Sequence, residues 1–458
     1  MMKTIRCSLL LLAPLLLHAQ TRLPAYPDSL FPTYYHQRVT HFQTLHRSCT
    51  DILFLGNSIT DGAEWSELFN DARIRNRGIS GDITAGVLHR LAYLAGGTPE
   101  KVFLLIGIND LSRGTSPDSV VKNILLIADY LHEQTPATHL YVQSLLPVND
   151  GFGKFGTHTN KGRDILVVNR SLQNDAESHH YSFVDLYSSF CDSAGKLRSA
   201  FTNDGLHLTG EGYLLWKHLL YADVFDLAEK PSLIPLPWQL QWRPGYFWLS
   251  HCAGIAVNDS ALIREARFLQ EELSRKGIRL PIVKDMNAAG PIDPRISDES
   301  GYIRLRLGEV TVDGGRDEAY RLAVSSDGVE IEGKSPHGIF NGAQTLLQLA
   351  RDGAIIDGCA VTDRPAFSWR GYMVDVARNF HSMDLLKQQI DIMGRYKLNV
   401  FHFHLTEDIA WRIAIQKYPP LTAPNTMLRD AGSFYCEEDI RELIGYCNER
   451  HIVFLPGD

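Results

Sequence analysis

The sequence has few cysteines, and none of them belongs to a recognisable motif. Seven are scattered over 458 residues, with no C-x-x-C pair among them. This spacing excludes a zinc ribbon and a thioredoxin-like redox site. Whether any of them form disulfides stays open, because dispersed thiols are equally typical of buried small apolar residues. We expect neither a metal nor a cofactor.

A dense basic block and a long apolar run in the body of the chain are also lacking. The 45 lysines and arginines are outnumbered by 53 acidic residues, which gives a net charge of −8. This balance disfavours nucleic acid as a partner, because binding to its phosphates needs clustered positive charge. Nothing after the first 20 residues is long and apolar enough to predict a transmembrane segment.

The amino-terminal residues have the pattern of an export signal. Lys3 and Arg6 precede an apolar run over residues 9–17, and the small Ala19 follows. The run is too short to span a bilayer and matches the apolar region of a signal peptide. We expect residues 1–19 to be removed by cleavage near Ala19, and the protein to be secreted into a bacterial periplasm.

The length and the changes of pattern predict several domains, since 458 residues exceed one ordinary core. A leader segment occupies residues 20–50. Residues 51–225 alternate short apolar strands with helices, which predicts a parallel sheet covered on both faces. Residues 226–363 predict a small α+β domain. Residues 364–458 contain two βα units and a third strand, typical of the start of a (β/α)8 barrel, which needs roughly 250 residues when complete. We therefore expect an α/β protein with a truncated barrel.

One serine lies where a nucleophile could be presented. The stretch FLGNSITDG, residues 54–62, is an apolar strand that runs into a Gly-Asn-Ser turn at Ser58. The sequence has no serine in the G-x-S-x-G elbow of the α/β-hydrolases. If Ser58 is a nucleophile, other residues must supply a base, an orienting acid and oxyanion donors.

Candidates for these partners follow later predicted strands. Gly81 lies in NRGISGD, Asn109 in LLIGIND, and Asp204 and His207 in TNDGLHLTGEGY. An open α/β sheet has its binding crevice at the ends of its strands, so all four are well placed. Taken singly, each has an ordinary alternative as a turn, a helix cap or a structural histidine.

The four blocks in this order resemble the SGNH (GDSL-type) hydrolases. The resemblance covers roughly residues 50–225 and departs at Asn57, where the family usually has aspartate before the serine. It implies a three-layer α/β/α domain and an esterase activity.

The resemblance also implies a role for each residue. Ser58 would be the nucleophile, His207 the general base and then the general acid, and Asp204 the group that fixes the histidine tautomer. The N–H groups of Ser58 and Gly81 and the side-chain amide of Asn109 would form the oxyanion hole.

The last part of the sequence resembles a second family. The motifs R-G-x-M-x-D, Y-K-L-N-x-x-H-x-H-L-T-x-D and W-R-I occur in order from Arg370 onwards. They resemble the start of the catalytic barrel of glycoside hydrolase family 20, the β-N-acetylhexosaminidases, and the α+β segment resembles the small domain before it. The resemblance implies that Arg370 grips sugar hydroxyls and that Asp408 supports the site.

Family 20 chemistry is substrate-assisted, and its Asp-Glu catalytic pair lies on a later barrel strand. We expect this sequence, which reaches Asp458, to lack that pair, and a longer parent protein to contain it.

The leading hypothesis is a secreted glycan-degrading hydrolase. An SGNH carbohydrate O-acetylesterase would be fused to a hexosaminidase that removes terminal GlcNAc or GalNAc, with acylated amino-sugar oligosaccharides as substrates. Two alternatives stay open: the SGNH domain is a silent glycan-binding module, or it is a lipid or acyl esterase unrelated to the hexosaminidase. The oligomeric state cannot be predicted.

Overall fold

The computed structural model describes residues 21–284, 301–312 and 317–457. The chain divides into two compact units, with the division between Phe225 and Asp226. The predicted signal peptide lies outside the described residues. No helix in the described ranges is both long and apolar enough to cross a membrane.

The first unit is built on a five-stranded parallel sheet with the order β2-β1-β3-β4-β5. Its strands are β1 (Ile52–Gly56), β2 (Ile74–Gly78), β3 (Lys101–Leu105), β4 (His139–Gln143) and β5 (Ser182–Val184). Every residue of β1 and β3 is buried, as expected for central strands that are covered on both faces.

Ten helices surround this sheet and connect its strands. They are α1 (Thr33–Thr44), α2 (Ser58–Asp61), α3 (Trp65–Phe69), α4 (Thr84–Ala95), α5 (Ile108–Ser112), α6 (Pro117–Gln134), α7 (Gly156–Thr159), α8 (Gly162–Asp175), α9 (Tyr187–Phe190) and α10 (Gly210–Phe225). Because the strands are parallel, α2 and α5 both begin at the carboxyl edge of the sheet.

The second unit begins with a seven-stranded mixed sheet, ordered β6-β12-β10-β11-β9-β7-β8. Its strands are β6 (Gln239–Trp248), β7 (Ile255–Val257), β8 (Ile282–Lys284), β9 (Tyr302–Leu307), β10 (Tyr320–Ser325), β11 (Gly328–Gly333) and β12 (Ile355–Asp363). The helices α11 (Ile263–Arg275) and α12 (Pro336–Leu349) contribute their apolar faces to the same core.

Three parallel strands complete the second unit, in the order β13-β14-β15. They are β13 (Gly371–Asp375), β14 (Val400–His404) and β15 (Val453–Gly457), and the helices α13 (Met383–Arg395) and α14 (Glu437–Asn448) follow the first two. The predicted α/β fold class is confirmed: a parallel sheet covered by helices, an α+β sheet and consecutive βα units.

The ten-residue strand β6 is a difference from the sequence analysis, which predicted no strand there. Pro244 and Gly245 interrupt its pattern, and its pairing with β12 shifts register between Asp357 and Cys359. Proline is tolerated because β6 is an edge strand, where a missing N–H breaks no ladder.

A buried charge joins the mixed sheet to the βα units. Lys397, which follows α13, is 7% exposed. Its Nζ donates to Asp363 Oδ2 at 2.9 Å and to the Tyr320 hydroxyl at 2.8 Å. That hydroxyl in turn donates to the same carboxylate at 2.9 Å, so the network has no unused charge. This buried network is one of the polar contacts that join the two parts of the second unit, along with the pairs of Arg370 with Glu318 and of His451 with Glu265.

We predict that Lys397→Met destabilises the second unit by about 3–5 kcal/mol, because it leaves the Asp363 carboxylate buried without its partner. Lys387→Met is the matched control, since Lys387 pairs with Glu442 at the surface and should contribute only about 0–1 kcal/mol. Hydrogen exchange of peptides covering β10, measured against urea concentration, gives the local stability. Equal losses in both variants would contradict the role of the buried network.

Candidate active site

Ser58 lies at the carboxyl end of β1, on the first residue of α2. The preceding Asn57 caps this short helix, because its Oδ1 accepts the Ile59 N–H at 3.0 Å. The cap fixes the turn that presents the serine. The Ser58 Oγ lies 3.0 Å from His207 Nε2, which is hydrogen-bonding distance for a nucleophile and its base.

Asp204 completes the chain of hydrogen bonds. His207 Nδ1 donates to Asp204 Oδ2 at 2.8 Å, which selects the imidazole tautomer whose Nε2 accepts from the serine. The other carboxylate oxygen accepts the backbone N–H groups of Leu206 and His207, each at 2.8 Å. Burial raises the pKa of Asp204, but these bonds together outweigh it and hold the pKa below its ordinary value. Asp204 therefore stays ionised and orients the base.

The predicted oxyanion donors lie on neighbouring loops. Gly81 has a φ of +80°, a conformation that favours glycine. Asn109 Nδ2 donates to the Asp82 carbonyl at 2.8 Å, which holds this amide beside Gly81. Within the described ranges, no acceptor is bonded to the N–H of Ser58 or of Gly81. The structure thus brings the predicted donors to one edge of the sheet.

A buried ion pair between Arg90 and Asp82 supports the loop that contains Gly81. Arg90 donates through Nη2 to Asp82 Oδ2 at 2.8 Å, and both side chains are 1% exposed. Arg90 also donates to the Arg77 carbonyl at 2.8 Å, at the end of β2. Gly86 makes room for this pair, because a Cβ at that position would lie 1.9 Å from Asp82 Oδ1.

Asp110 ties the Asn109 helix to the start of α4. Its carboxylate accepts the Thr84 N–H at 3.0 Å and the Thr84 hydroxyl at 2.6 Å. Desolvation by burial raises the pKa of Asp110 to about 6, although the bonds from Thr84 oppose the shift. A carboxyl with a raised pKa therefore lies next to the predicted oxyanion donor Asn109 in the chain and is bonded to the start of α4.

In the second unit the structure places Arg370 away from the expected sugar site. Arg370 precedes β13, at the amino end of the strand, and its guanidinium is bound by the Glu318 carboxylate and the carbonyls of Phe367 and Lys397. In β/α barrels the functional groups lie at the carboxyl ends of the strands. The structure therefore does not bring Arg370 and Asp408 together.

The carboxyl ends of β13 and β14 carry a different polar cluster. Arg378 pairs with Asp375 and, at 2.8 Å, with Glu407, which also contacts His404 Nε2 at 3.0 Å. Asp408 is exposed beside this cluster. The sequence analysis selected neither Arg378 nor Asp375 as a site residue, although the position of Arg378 after a strand could have marked it.

Metal-ligating groups do not converge in the described ranges: no cluster of three or more His, Cys, Asp or Glu there could hold an ion. All six cysteines in those ranges are free thiols.

Comparison with protein families assigns a domain to each part of the chain. The GDSL-like lipase/acylhydrolase family matches residues 54–215. Domain 2 of glycosyl hydrolase family 20 matches residues 230–364, and the catalytic domain of that family matches residues 367–457. The chain is a GDSL-like domain fused to family 20 domains.

The family 20 part has curated relatives. A beta-hexosaminidase of Porphyromonas gingivalis is 34% identical over 240 residues, covering 49% of this chain and 30% of that protein. A beta-hexosaminidase of Vibrio furnissii is 32% identical over 246 residues, covering 50% and 37%. The chain thus spans about a third of the length of these relatives. The family 20 exo-beta-N-acetylglucosaminidase structure of Vibrio harveyi aligns at 30% identity with a TM-score of 0.41, covering 49% of this chain and 35% of that one.

The GDSL-like domain also has two site residues that sequence reasoning missed. His158, on α7, lies with Nε2 3.1 Å from Asn109 Oδ1. An amide oxygen only accepts, so Nε2 carries the proton and fixes the orientation of the Asn109 amide. Burial lowers the pKa of His158, as does the nearby charge of His207 and of Arg113, so its ring stays neutral. Phe155 places its ring against His207, with centroids 5.0 Å apart. No motif marks the loop that carries them.

We predict that Asn109→Ala lowers kcat for ester hydrolysis about 10²–10³-fold with little change in KM, because one oxyanion donor is lost. Asn123→Ala is the matched control: Asn123 lies on α6 and donates to the Thr84 hydroxyl at 2.8 Å, so kcat should fall less than about threefold. Steady-state kinetics of both variants on one ester give the kcat and KM values to compare. A KM effect without a kcat effect would contradict the assignment.

We predict a pH-dependent stability from Asp110. Its pKa is raised to about 6, so the stability that its protonated form contributes is complete below pH 4 and is lost as the pH rises through 6. Two pKa units correspond to about 2.7 kcal/mol. Urea unfolding of wild type and Asp110→Asn between pH 4 and 7, read by hydrogen exchange of α4, should show curves that converge or cross. Parallel curves would contradict the shift.

Proposed function

We propose that the GDSL-like domain is a serine esterase that removes acetyl groups from amino-sugar-containing glycans. The observation that carries the proposal is the continuous bonding of Ser58, His207 and Asp204, at 3.0 and 2.8 Å. A serine in contact with a carboxylate-oriented imidazole is the constellation that serine hydrolases use for acyl transfer.

The reaction follows from this geometry. Ser58 Oγ attacks the ester carbonyl carbon while His207 Nε2 takes its proton, and the carbonyl oxygen becomes an oxyanion bound by the donors at Ser58, Gly81 and Asn109. The intermediate collapses, the bond to the alcohol oxygen breaks, and His207 gives its proton to that oxygen. Water then attacks the acyl-serine by the same route, which releases the acid and regenerates Ser58. Asp204 stays ionised throughout.

The substrate class is inferred from the fusion. The family 20 part is similar to beta-hexosaminidases, so the longer protein would act on glycans that contain N-acetylhexosamine. Acetyl esters on such glycans would block an enzyme that works from the chain end, and an esterase in the same polypeptide would clear them. The amino-terminal pattern around Lys3 and Arg6 supports secretion, in keeping with an extracellular polymer as substrate.

The two alternatives, a glycan-binding module and a lipid esterase, predict different structural features in the GDSL-like domain. A silent glycan-binding module would not need the bonded triad or the buried support of Asp82 by Arg90. A lipid esterase would need a wide apolar surface around Ser58. The half-exposed Phe155 instead stands among exposed Lys154, Gly156 and Thr157.

We predict that the chain hydrolyses p-nitrophenyl acetate and that Ser58→Ala abolishes this turnover, because the nucleophile is lost. Release of p-nitrophenolate gives the rate. A serine-reactive fluorophosphonate should label the wild type and leave Ser58→Ala unlabelled.

Three measurements separate the alternatives: hydrolysis of acetate esters, labelling by the phosphonate, and hydrolysis of octanoate esters. A folded protein that neither turns over acetate esters nor reacts with the phosphonate would be a binding module. Faster hydrolysis of octanoate than of acetate esters would favour the lipid esterase.

A further inference from the structure

The ring of Phe155 is partly exposed beside the catalytic base. Phe155 is 45% exposed, yet its ring makes T-shaped contacts with the rings of His207, at an interplanar angle of 73°, and of His158, at 89°. Its backbone is left-handed, with a φ of +51°, a conformation that costs a bulky residue of the order of 1–3 kcal/mol. An unfavourable backbone that keeps an aromatic ring in solvent beside a catalytic base indicates a function for the ring.

The loop that carries Phe155 is held firmly on both sides. Asn149 N–H donates to the Gly205 carbonyl at 2.8 Å, so the loop is bonded to the turn between Asp204 and His207. Gly205 is needed there, because a Cβ on it would lie 2.0 Å from the Asn149 carbonyl oxygen. On the other side, His158 bonds Asn109. The ring is therefore fixed relative to both the base and the oxyanion site.

The position of the ring identifies the part of the substrate that it meets. His207 must reach the alcohol oxygen of the ester, because it protonates that oxygen as the alcohol leaves. A ring whose centroid is 5.0 Å from the His207 centroid borders the place that the alcohol occupies. Phe155 thus contacts the alcohol half of the ester.

The surroundings of the ring decide the chemistry of that alcohol. A single exposed aromatic side chain flanked by Lys154 and Gly156 offers one apolar face among polar groups. A pyranose ring fits such a face, because its polarised C–H groups lie on the electron-rich π surface while its hydroxyls stay in polar surroundings. A long acyl or alkyl chain would need a contiguous apolar patch instead.

We propose that Phe155 is the platform on which the sugar ring of the ester lies, and that it determines the preference for carbohydrate alcohols. This inference rests on the proposed esterase function and names the group that would make it carbohydrate-directed.

The test compares three substrates on the full chain: an O-acetylated methyl N-acetylglucosaminide, ethyl acetate and ethyl octanoate. Phe155→Ala should lower kcat/KM for the acetylated sugar about tenfold relative to kcat/KM for ethyl acetate, mainly through KM. Phe155→Trp should retain the sugar activity, and Phe155→Leu, which keeps bulk without a ring, should lose it. Leu166→Ala, at an exposed apolar position on α8, is the control for removal of a surface side chain.

Equal losses on the sugar and on ethyl acetate would overturn the proposal and give the ring a role in holding His207. A loss confined to ethyl octanoate would overturn it in favour of an apolar chain. Binding of the sugar to Ser58→Ala, with and without Phe155→Ala, is measured by saturation-transfer NMR. If wild type has no esterase activity but this binding depends on Phe155, the sugar-binding role of Phe155 is supported and the proposed esterase function is contradicted. Binding that is independent of Phe155 would overturn the platform.

Discussion

The buried Arg90–Asp82 pair is the constraint on which the rest of the first site depends. Arg90 reaches the carbonyl of Arg77 at 2.8 Å and that of Gly56 at 3.4 Å, so one guanidinium connects the ends of β2 and β1 to the Asp82 loop. The Asp82 carbonyl in turn positions the Asn109 amide. A buried guanidinium without its carboxylate would be strongly destabilising, so the charge of Arg90 is tolerated here only because Asp82 pairs with it. Stability and catalytic geometry therefore rest on the same bonds.

The sequence predicted those residues of the site that lie close together in the chain or directly follow a strand. Asp204 and His207 are three residues apart, and Ser58 and Asn109 each follow an apolar strand, so spacing and strand direction marked them as candidates. Their roles came from the resemblance of the ordered blocks to the SGNH hydrolases. Phe155 and His158 were missed because their roles arise only from folding: a loop without a motif is brought to Asn109 by bonds across the sheet edge. No local pattern could have shown this.

In the second unit, by contrast, a site residue was predicted at the other end of a strand from the expected site. The α+β segment of this unit and its two βα units with a third strand were predicted from the sequence pattern, but Arg370 was chosen from motif resemblance without regard to strand direction. It precedes Gly371, the first residue of β13, whereas Arg378 follows the strand. In a parallel β/α arrangement that difference separates opposite ends of the sheet. The strand β6 was missed for another reason, since Pro244 at an edge breaks the pattern but not the strand.

The hydrogen bonds within the Asp204–His207 turn have a consequence for how activity could be lost. One oxygen of Asp204 accepts the backbone N–H of His207 and the other accepts its ring N–H. The acid and the base are therefore bonded to each other within one short turn. The fold must then set the position of this turn relative to Ser58 and to the oxyanion donors. A displacement of the turn would separate the base from its nucleophile while the hydrogen bond between acid and base stays intact.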